Sequence, residues 1–155
     1  DLHERMLSYE KRLSHRAPDR AALLAPYRES VGVKLARAEA GKSTLVLCHH
    51  DLLRANRLYC GGRLFAIDWE YAAMGDPWYE LAVVIAGDSL CSNETEELLL
   101  AYLGRTVREE EQQRVQDYGC AYRYLELLWY LSQDHPALDD EQLRHKLAGL
   151  DKSLN

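Results

Sequence analysis

Apolar residues recur at helical spacing along most of the chain. Leu2, Met6, Leu7, Tyr9 and Leu13 mark a first helix, which Ala17-Pro18-Asp19 interrupts. Pro18 suits a first helical turn, and the pattern resumes over 21–40 with Leu23, Leu24, Tyr27, Val31, Leu35 and Ala38. Pro26 and Gly32 predict a kink or a split inside that segment. At Gly41 the period changes. Residues 44–48 form a short β-prone run ending in His49-His50-Asp51, and 57–60 and 63–68 form two more. The last two meet at Gly61-Gly62, a hairpin signal. Gly75-Asp76-Pro77 predicts a turn, with Asp76 capping the helix that follows. Helical spacing returns over 78–87, 94–103, 108–133 and 140–150, with breaks at Gly104 and Asp134-His135-Pro136. The expected fold is α+β and mainly helical, with a small β-hairpin insert near its middle.

Composition narrows the class. The 155 residues are 47% hydrophobic and 28% charged, which fits one globular domain and excludes disordered and low-complexity chains. A net charge of −6 leaves no basic surplus for broad nucleic-acid binding. No apolar run reaches the roughly 18 residues of a membrane span. Cys48, Cys60, Cys91 and Cys120 show no metal-binding or redox spacing, so reduced thiols in a cytoplasmic protein are expected.

Two local motifs compete for attention. Gly41-Lys42-Ser43-Thr44 has the ending of a phosphate-binding P-loop, but Ala36 stands where the motif needs glycine, and the order here is helix then strand. The stronger signal is His49-x-Asp51-x-x-x-x-Asn56, followed by Ile67-Asp68-Trp69-Glu70. If the hairpin turns over three residues, Gly61-Gly62-Arg63, then Asn56 lies opposite Asp68, with Cβ atoms about 4.5–5.5 Å apart. A carboxylate and an amide oxygen at that separation suit Mg²⁺ better than zinc. Asp51, one loop away, is placed to orient an attacking hydroxyl and take its proton late. Cys48, His49 and His50 are strand neighbours that alternate faces and do not converge on one ion.

The stretch Cys48-His49-His50-Asp51-Leu52-Leu53-Arg54-Ala55-Asn56 resembles the catalytic loop of the aminoglycoside phosphotransferase and choline kinase superfamily. Ile67-Asp68-Trp69-Glu70-Tyr71-Ala72, followed by Gly75-Asp76-Pro77, resembles its metal-binding segment, especially in the choline kinase and thiamine kinase branches. The resemblance covers 45–82. It implies a protein-kinase-like C-terminal lobe over 1–155, with ATP as co-substrate and Mg²⁺ as cofactor. It further implies Asp51 as catalytic base, His49 as a brace for the loop, and Asn56 and Asp68 as Mg²⁺ ligands. Glu80 replaces the aspartate of many members, which bears on substrate subgroup more than on catalysis. On this resemblance residues 1–155 are expected to lack the N-terminal nucleotide-binding lobe of such kinases. Only Lys11, Lys34 and Lys42 precede the motif, none in a suitable strand, so the chain alone is expected to be inactive.

The acceptor implied is a small cationic alcohol such as choline, ethanolamine or thiamine, with aminoglycosides and sugars as alternatives. A non-catalytic binding module on the same fold is the contrasting class, and the intact Asp51, Asn56 and Asp68 argue against it. Ten tyrosines against one phenylalanine favour rings with polar tips, as a cation cage would use. Tyr122, Glu126, Trp129 and Tyr130 share one helical face, with Glu126 as countercharge. Trp69 and Glu70 are further substrate-binding candidates, and Arg54 is a candidate contact for a phosphate oxygen. Arg108-Glu109-Glu110-Glu111 is expected to be a solvated helix start.

Overall fold

In the computed structural model, which describes residues 2–41, 43–133 and 138–154, helices flank two small sheets. The order is α1 (Leu2–Arg16), α2 (Pro18–Leu24), α3 (Arg28–Ala40), β1 (Val46–Cys48), β2 (Arg57–Cys60), β3 (Arg63–Ala66), β4 (Ala73–Gly75), α4 (Pro77–Gly87), α5 (Ser92–Leu103), α6 (Glu109–Leu131) and α7 (Asp140–Leu154). The kink expected near Pro26 is a 3₁₀ turn over Ala25–Tyr27 that separates α2 from α3. The order α3 then β1 removes any P-loop at 41–44. The break at Asp134-His135-Pro136 lies outside the described residues.

Helix α6 is the spine of the molecule. Val115, Tyr118, Ala121, Tyr124, Leu125, Leu127, Leu128 and Leu131 are all buried, so the helix is wrapped rather than merely faced. Helices α1, α3, α4 and α7 pack around it. Each fully buried leucine there contributes about 1.5–3 kcal/mol relative to exposure. Charged pins fix the angles. Arg37 of α3 donates to Asp117 of α6 at 2.5 and 2.6 Å, and Asp117 is fully buried. Arg114 of α6 pairs with Asp76 and also donates to the carbonyls of Ala38 (2.9 Å) and Gly41 (2.7 Å).

The start of α6 corrects one expectation. Glu109 and Glu110 are exposed, but Glu111 is buried and accepts from the guanidinium groups of Arg105 (2.6 Å) and Arg108 (2.7 Å). Those side-chain bonds hold its carboxyl well below the usual range.

The two sheets pair antiparallel, β1 with β4 and β2 with β3. Strand β4 occupies part of the segment read as a turn. The hairpin is also one residue tighter than expected. Cys60 pairs with Arg63 across Gly61-Gly62, and the Ile67 N–H donates to the Asn56 carbonyl at 3.0 Å. Both glycines take positive φ, +57° and +77°, which only a two-residue loop of this hand requires. Asn56 therefore faces Ile67, and the proposed cross-strand pairing of Asn56 with Asp68 is wrong.

Among the described residues, no helix is long and apolar enough to cross a membrane. The four cysteines are free thiols. Burial pushes Cys48 up to about 11 and also raises Cys120, whereas Cys60 and Cys91 are exposed. Titration of the native protein with a disulfide reagent at pH 8 is expected to give two fast thiols and four after denaturation. Four fast thiols would contradict this burial.

Candidate active site

The loop between β1 and β2 carries the candidate chemistry, and its shape is held from three sides. Below it, Glu80 of α4 accepts two backbone N–H groups through Oε2, from His49 at 2.5 Å and from His50 at 3.0 Å. That pair of bonds secures a left-handed residue, since His50 has φ of +64°. Gly75 makes room for it, because a Cβ at that position would collide with His50 Nε2. Behind the loop, His49 is buried, its Nε2 lies 2.7 Å from the Ile67 carbonyl, and its ring packs on Trp69 at 4.8 Å. At the far end, Asp88 of α4's C-cap accepts from Arg54 N–H (3.0 Å) and pairs with Arg57. Sequence reasoning missed Asp88 and Arg57, since residues 31 positions apart leave no local signal.

Asp51 sits at the head of this frame. Asn56 reaches back across the loop and donates through Nδ2 to the Asp51 carbonyl and to Asp51 Oδ2, both at 2.8 Å. With its Nδ2 so committed, the amide keeps Oδ1 as its acceptor. Burial raises the Asp51 carboxyl above its ordinary value. The Asn56 bond and the His49 and Arg5 charges oppose that rise, while the Asp68 charge adds a smaller one. Asp68 is exposed and left-handed (φ +62°), so the chain leaves the hairpin line immediately after Ile67. The donor set of Asp68 and Asn56, hard oxygens with open sides, fits Mg²⁺. Among the described residues, no cluster of three or more His, Cys, Asp or Glu side chains forms a metal site by itself.

Asp51 opens onto a cavity of about 220 Å³. Glu70, Tyr71, Tyr122, Glu126, Trp129 and Tyr130 line it, together with Arg5 and Tyr9 of α1. The face of α6 singled out from spacing thus shares this cavity with Asp51. Burial raises the hydroxyls of Tyr79 and Tyr122, so both remain neutral donors. Burial likewise lowers His50, which stands neutral at pH 7. Two further candidates do not line this cavity. Trp69 is outside the cavity, held against His49 and donating to the Ala66 carbonyl at 2.9 Å. Arg54 is exposed and does not line it either.

Glu80→Gln keeps one acceptor oxygen but removes the charge that strengthens both amide bonds. It is expected to cost about 1.5–3 kcal/mol in urea unfolding. A loss below about 0.5 kcal/mol would show that the loop is held by something else.

Comparison with known proteins agrees with this architecture. Residues 3–118 match the phosphotransferase enzyme family. A 59-residue stretch is 39% identical to the protein LicA of Haemophilus influenzae, covering 38% of this chain and 22% of LicA. A choline/ethanolamine kinase family protein from Mesorhizobium loti superposes over 99% of this chain and 57% of its own, with TM-score 0.78 and 29% identity. The choline kinase LicA from Streptococcus pneumoniae shares the fold over 98% of this chain and 55% of its own (TM-score 0.73, 24% identity). The chain thus spans little more than half the length of these solved structures. With the match extending over most of its residues and both of its motifs, the chain belongs to the phosphotransferase enzyme family.

Proposed function

We propose that these residues are the C-terminal lobe of a cytoplasmic kinase that transfers the γ-phosphoryl group of ATP to the hydroxyl of a small cationic alcohol. One observation carries the reading: a cavity walled by tyrosine, tryptophan and two carboxylates opens directly on Asp51. Ring faces and acidic groups together favour a cation. At about 220 Å³ the cavity suits choline or ethanolamine and is small for a multi-ring aminoglycoside. The names of the related proteins point the same way.

In this mechanism the acceptor's cationic end lies among Tyr71, Trp129 and Glu70, which aims its hydroxyl at Asp51. Asn56 fixes Asp51 Oδ2, leaving Oδ1 to receive the hydroxyl hydrogen bond. As the new O–P bond forms and the bond to the ADP leaving group breaks, the proton passes to Asp51 and then to solvent. The raised carboxyl value makes Asp51 a better base than a free aspartate. Asn56 Oδ1 and Asp68 would hold Mg²⁺, which supplies charge neutralisation for the phosphates. His49 and Glu80 act by holding the loop. Arg54, exposed beside the loop, is the proposed contact for a phosphate oxygen.

A second lobe supplying nucleotide contacts is part of the proposal. It has a place to dock: Val46, Leu47, Leu58, Tyr59, Leu64, Phe65 and Met74 are all exposed on the two sheets. The test is ADP release by the intact polypeptide with Mg²⁺ and a panel of alcohols, with the product identified by ³¹P NMR. Phosphocholine or phosphoethanolamine is expected, and none from residues 1–155 alone. Mg²⁺-dependent turnover confined to aminoglycosides or sugars would replace the acceptor, and absence of turnover with every alcohol would favour a binding module.

A further inference from the structure

A second cavity, of about 960 Å³, shares no lining residue with the one beside Asp51. Its two walls differ in chemistry. Helices α3, α6 and α7 supply Lys34, Arg37, Arg123 and Lys152. Helix α4, the turn after it and the loop before α6 supply Ile85, Leu90 and Val107. Among the described residues, Glu96 of α5 is the one acidic member of the lining.

The charge of the basic wall is not balanced from within. Asp117 is fully buried and already accepts from Arg37 at 2.5 and 2.6 Å and from Gln113 at 3.1 Å. Lys34 is left 4.0 Å from that carboxylate, although its own side chain is only 19% exposed. Arg123 is half-buried and donates to the Gly119 carbonyl at a long 3.4 Å. Neither Arg123 nor the exposed Lys152 has a carboxylate partner among the described residues. Two glycines inside helices keep the guanidinium of Arg123 uncovered. A Cβ at Gly119 would stand 3.5 Å from its Nη1, and one at Gly149 3.9 Å from its Nε. Glycine weakens a helix interior, yet α6 and α7 each place one beside this cation. Cations drawn out of water without a countercharge are costly, so three of them lining one cavity call for an anion from outside.

We propose that this cavity binds a small organic phosphate, with the phosphate group at Lys34, Arg123 and Lys152 and the apolar body against Ile85, Leu90 and Val107. The volume is more than one phosphate fills and falls within the range of small-molecule sites. Thr95 and Gln116, also in the lining, add uncharged donors. The site stands independently of the reaction proposed at Asp51, since none of its residues belongs to that loop or that cavity.

The two walls predict a pattern that neither would give alone. A ligand with both a phosphate and an alkyl chain should bind about tenfold tighter than inorganic phosphate or the plain alcohol. Arg123→Gln and Lys152→Gln should each weaken it by roughly three- to tenfold. Glu96→Gln removes the one lining acid and should leave the affinity equal or higher.

The experiment is NMR titration of the intact protein, without Mg²⁺, using hexyl phosphate, inorganic phosphate and hexan-1-ol as probes. Circular dichroism confirms that each variant is folded. The expected result is saturable shifts of the Gly119, Gly149 and Ser153 amides with hexyl phosphate, weakened in Arg123→Gln and Lys152→Gln. Shifts confined to Asp51, Asn56 and Asp68 would place the anion at the candidate active site and overturn the proposal, as would no binding at all. Equal affinity for hexyl phosphate and hexan-1-ol overturns it, since the cations would then contribute nothing. Equal affinity for hexyl phosphate and inorganic phosphate overturns it too, because the apolar wall would be idle. If Arg123→Gln fails to fold, unchanged affinity in Lys152→Gln, an exposed position, overturns it.

Discussion

Asp51→Asn is expected to lower kcat of the proposed phosphoryl transfer by the intact protein by roughly 10²–10⁴ while leaving KM for the acceptor within a few-fold. The substitution preserves size and removes the proton-accepting oxygen, so loss of rate without loss of affinity is the signature of a group that acts during transfer. Its effect on stability should have the opposite sign. Burial raises the Asp51 carboxyl in the folded protein, which means that its charged form is a net cost to folding at neutral pH. That cost is fully present above the raised folded value, shrinks as pH falls through it, and vanishes below the unfolded value of about 3.8. Asp51→Asn should therefore melt higher than the wild type at pH 7, and the two should converge towards pH 3. A variant less stable at pH 7 would mean that Asp51 holds the fold, and loss of activity would then say nothing about proton transfer.

The largest loss of stability is expected from Asp76→Ala. Asp76 Oδ1 accepts from the Trp78 N–H at 3.0 Å and caps α4. Its Oδ2 pairs with Arg114 and accepts from the Tyr118 hydroxyl at 2.9 Å. Arg114 and Asp76 are only 12% and 13% exposed at their side chains, so deletion leaves a buried guanidinium without its countercharge. Removing one partner of such a pair costs about 3–5 kcal/mol, to which the lost cap adds about 1. In a chain of this length, urea unfolding should register that loss, along with a melting point lower by about 10 °C. Tyr118→Phe, which removes one neutral hydroxyl, should cost only about 1 kcal/mol. A loss below 1 kcal/mol for Asp76→Ala would show that Arg114 is satisfied by the Ala38 and Gly41 carbonyls alone.

These two residues illustrate what a linear reading captures. Asp76 announces itself as a cap because proline follows it, and the helix begins where expected. Its role in joining α4 to α6 depends on Arg114 and Tyr118, about 40 positions away, for which spacing offers no clue. The long helices were legible because apolar positions repeat through several turns, and α1 shows this best. Strand β4 was not, since Ala73-Met74-Gly75 has no β preference and becomes a strand only by pairing with β1. The hairpin register went wrong because Gly-Gly permits more than one loop length. Only the observed backbone angles select the two-residue turn.

The site divides the same way. Asp51, Asn56 and Asp68 stand within one short segment and advertise themselves by spacing. The face of Tyr122, Glu126, Trp129 and Tyr130 was visible as a helical stripe, and these residues line the cavity onto which Asp51 opens. Arg5 and Tyr9 were invisible, because α1 comes from the other end of the chain and meets the cavity only in the folded state. Trp69 was placed in the pocket for its ring, but that ring is used on His49, where it helps to hold the loop.

The central claim is that Asn56 and Asp68 hold one divalent ion beside Asp51. The most direct test replaces Mg²⁺ by paramagnetic Mn²⁺ in the ATP-loaded intact protein and follows amide resonances by NMR. At substoichiometric Mn²⁺, the Asn56 side-chain amide and the backbone amides of Asp51 and Asp68 should broaden first and together. Survival of those three signals, while amides elsewhere vanish, would contradict the account.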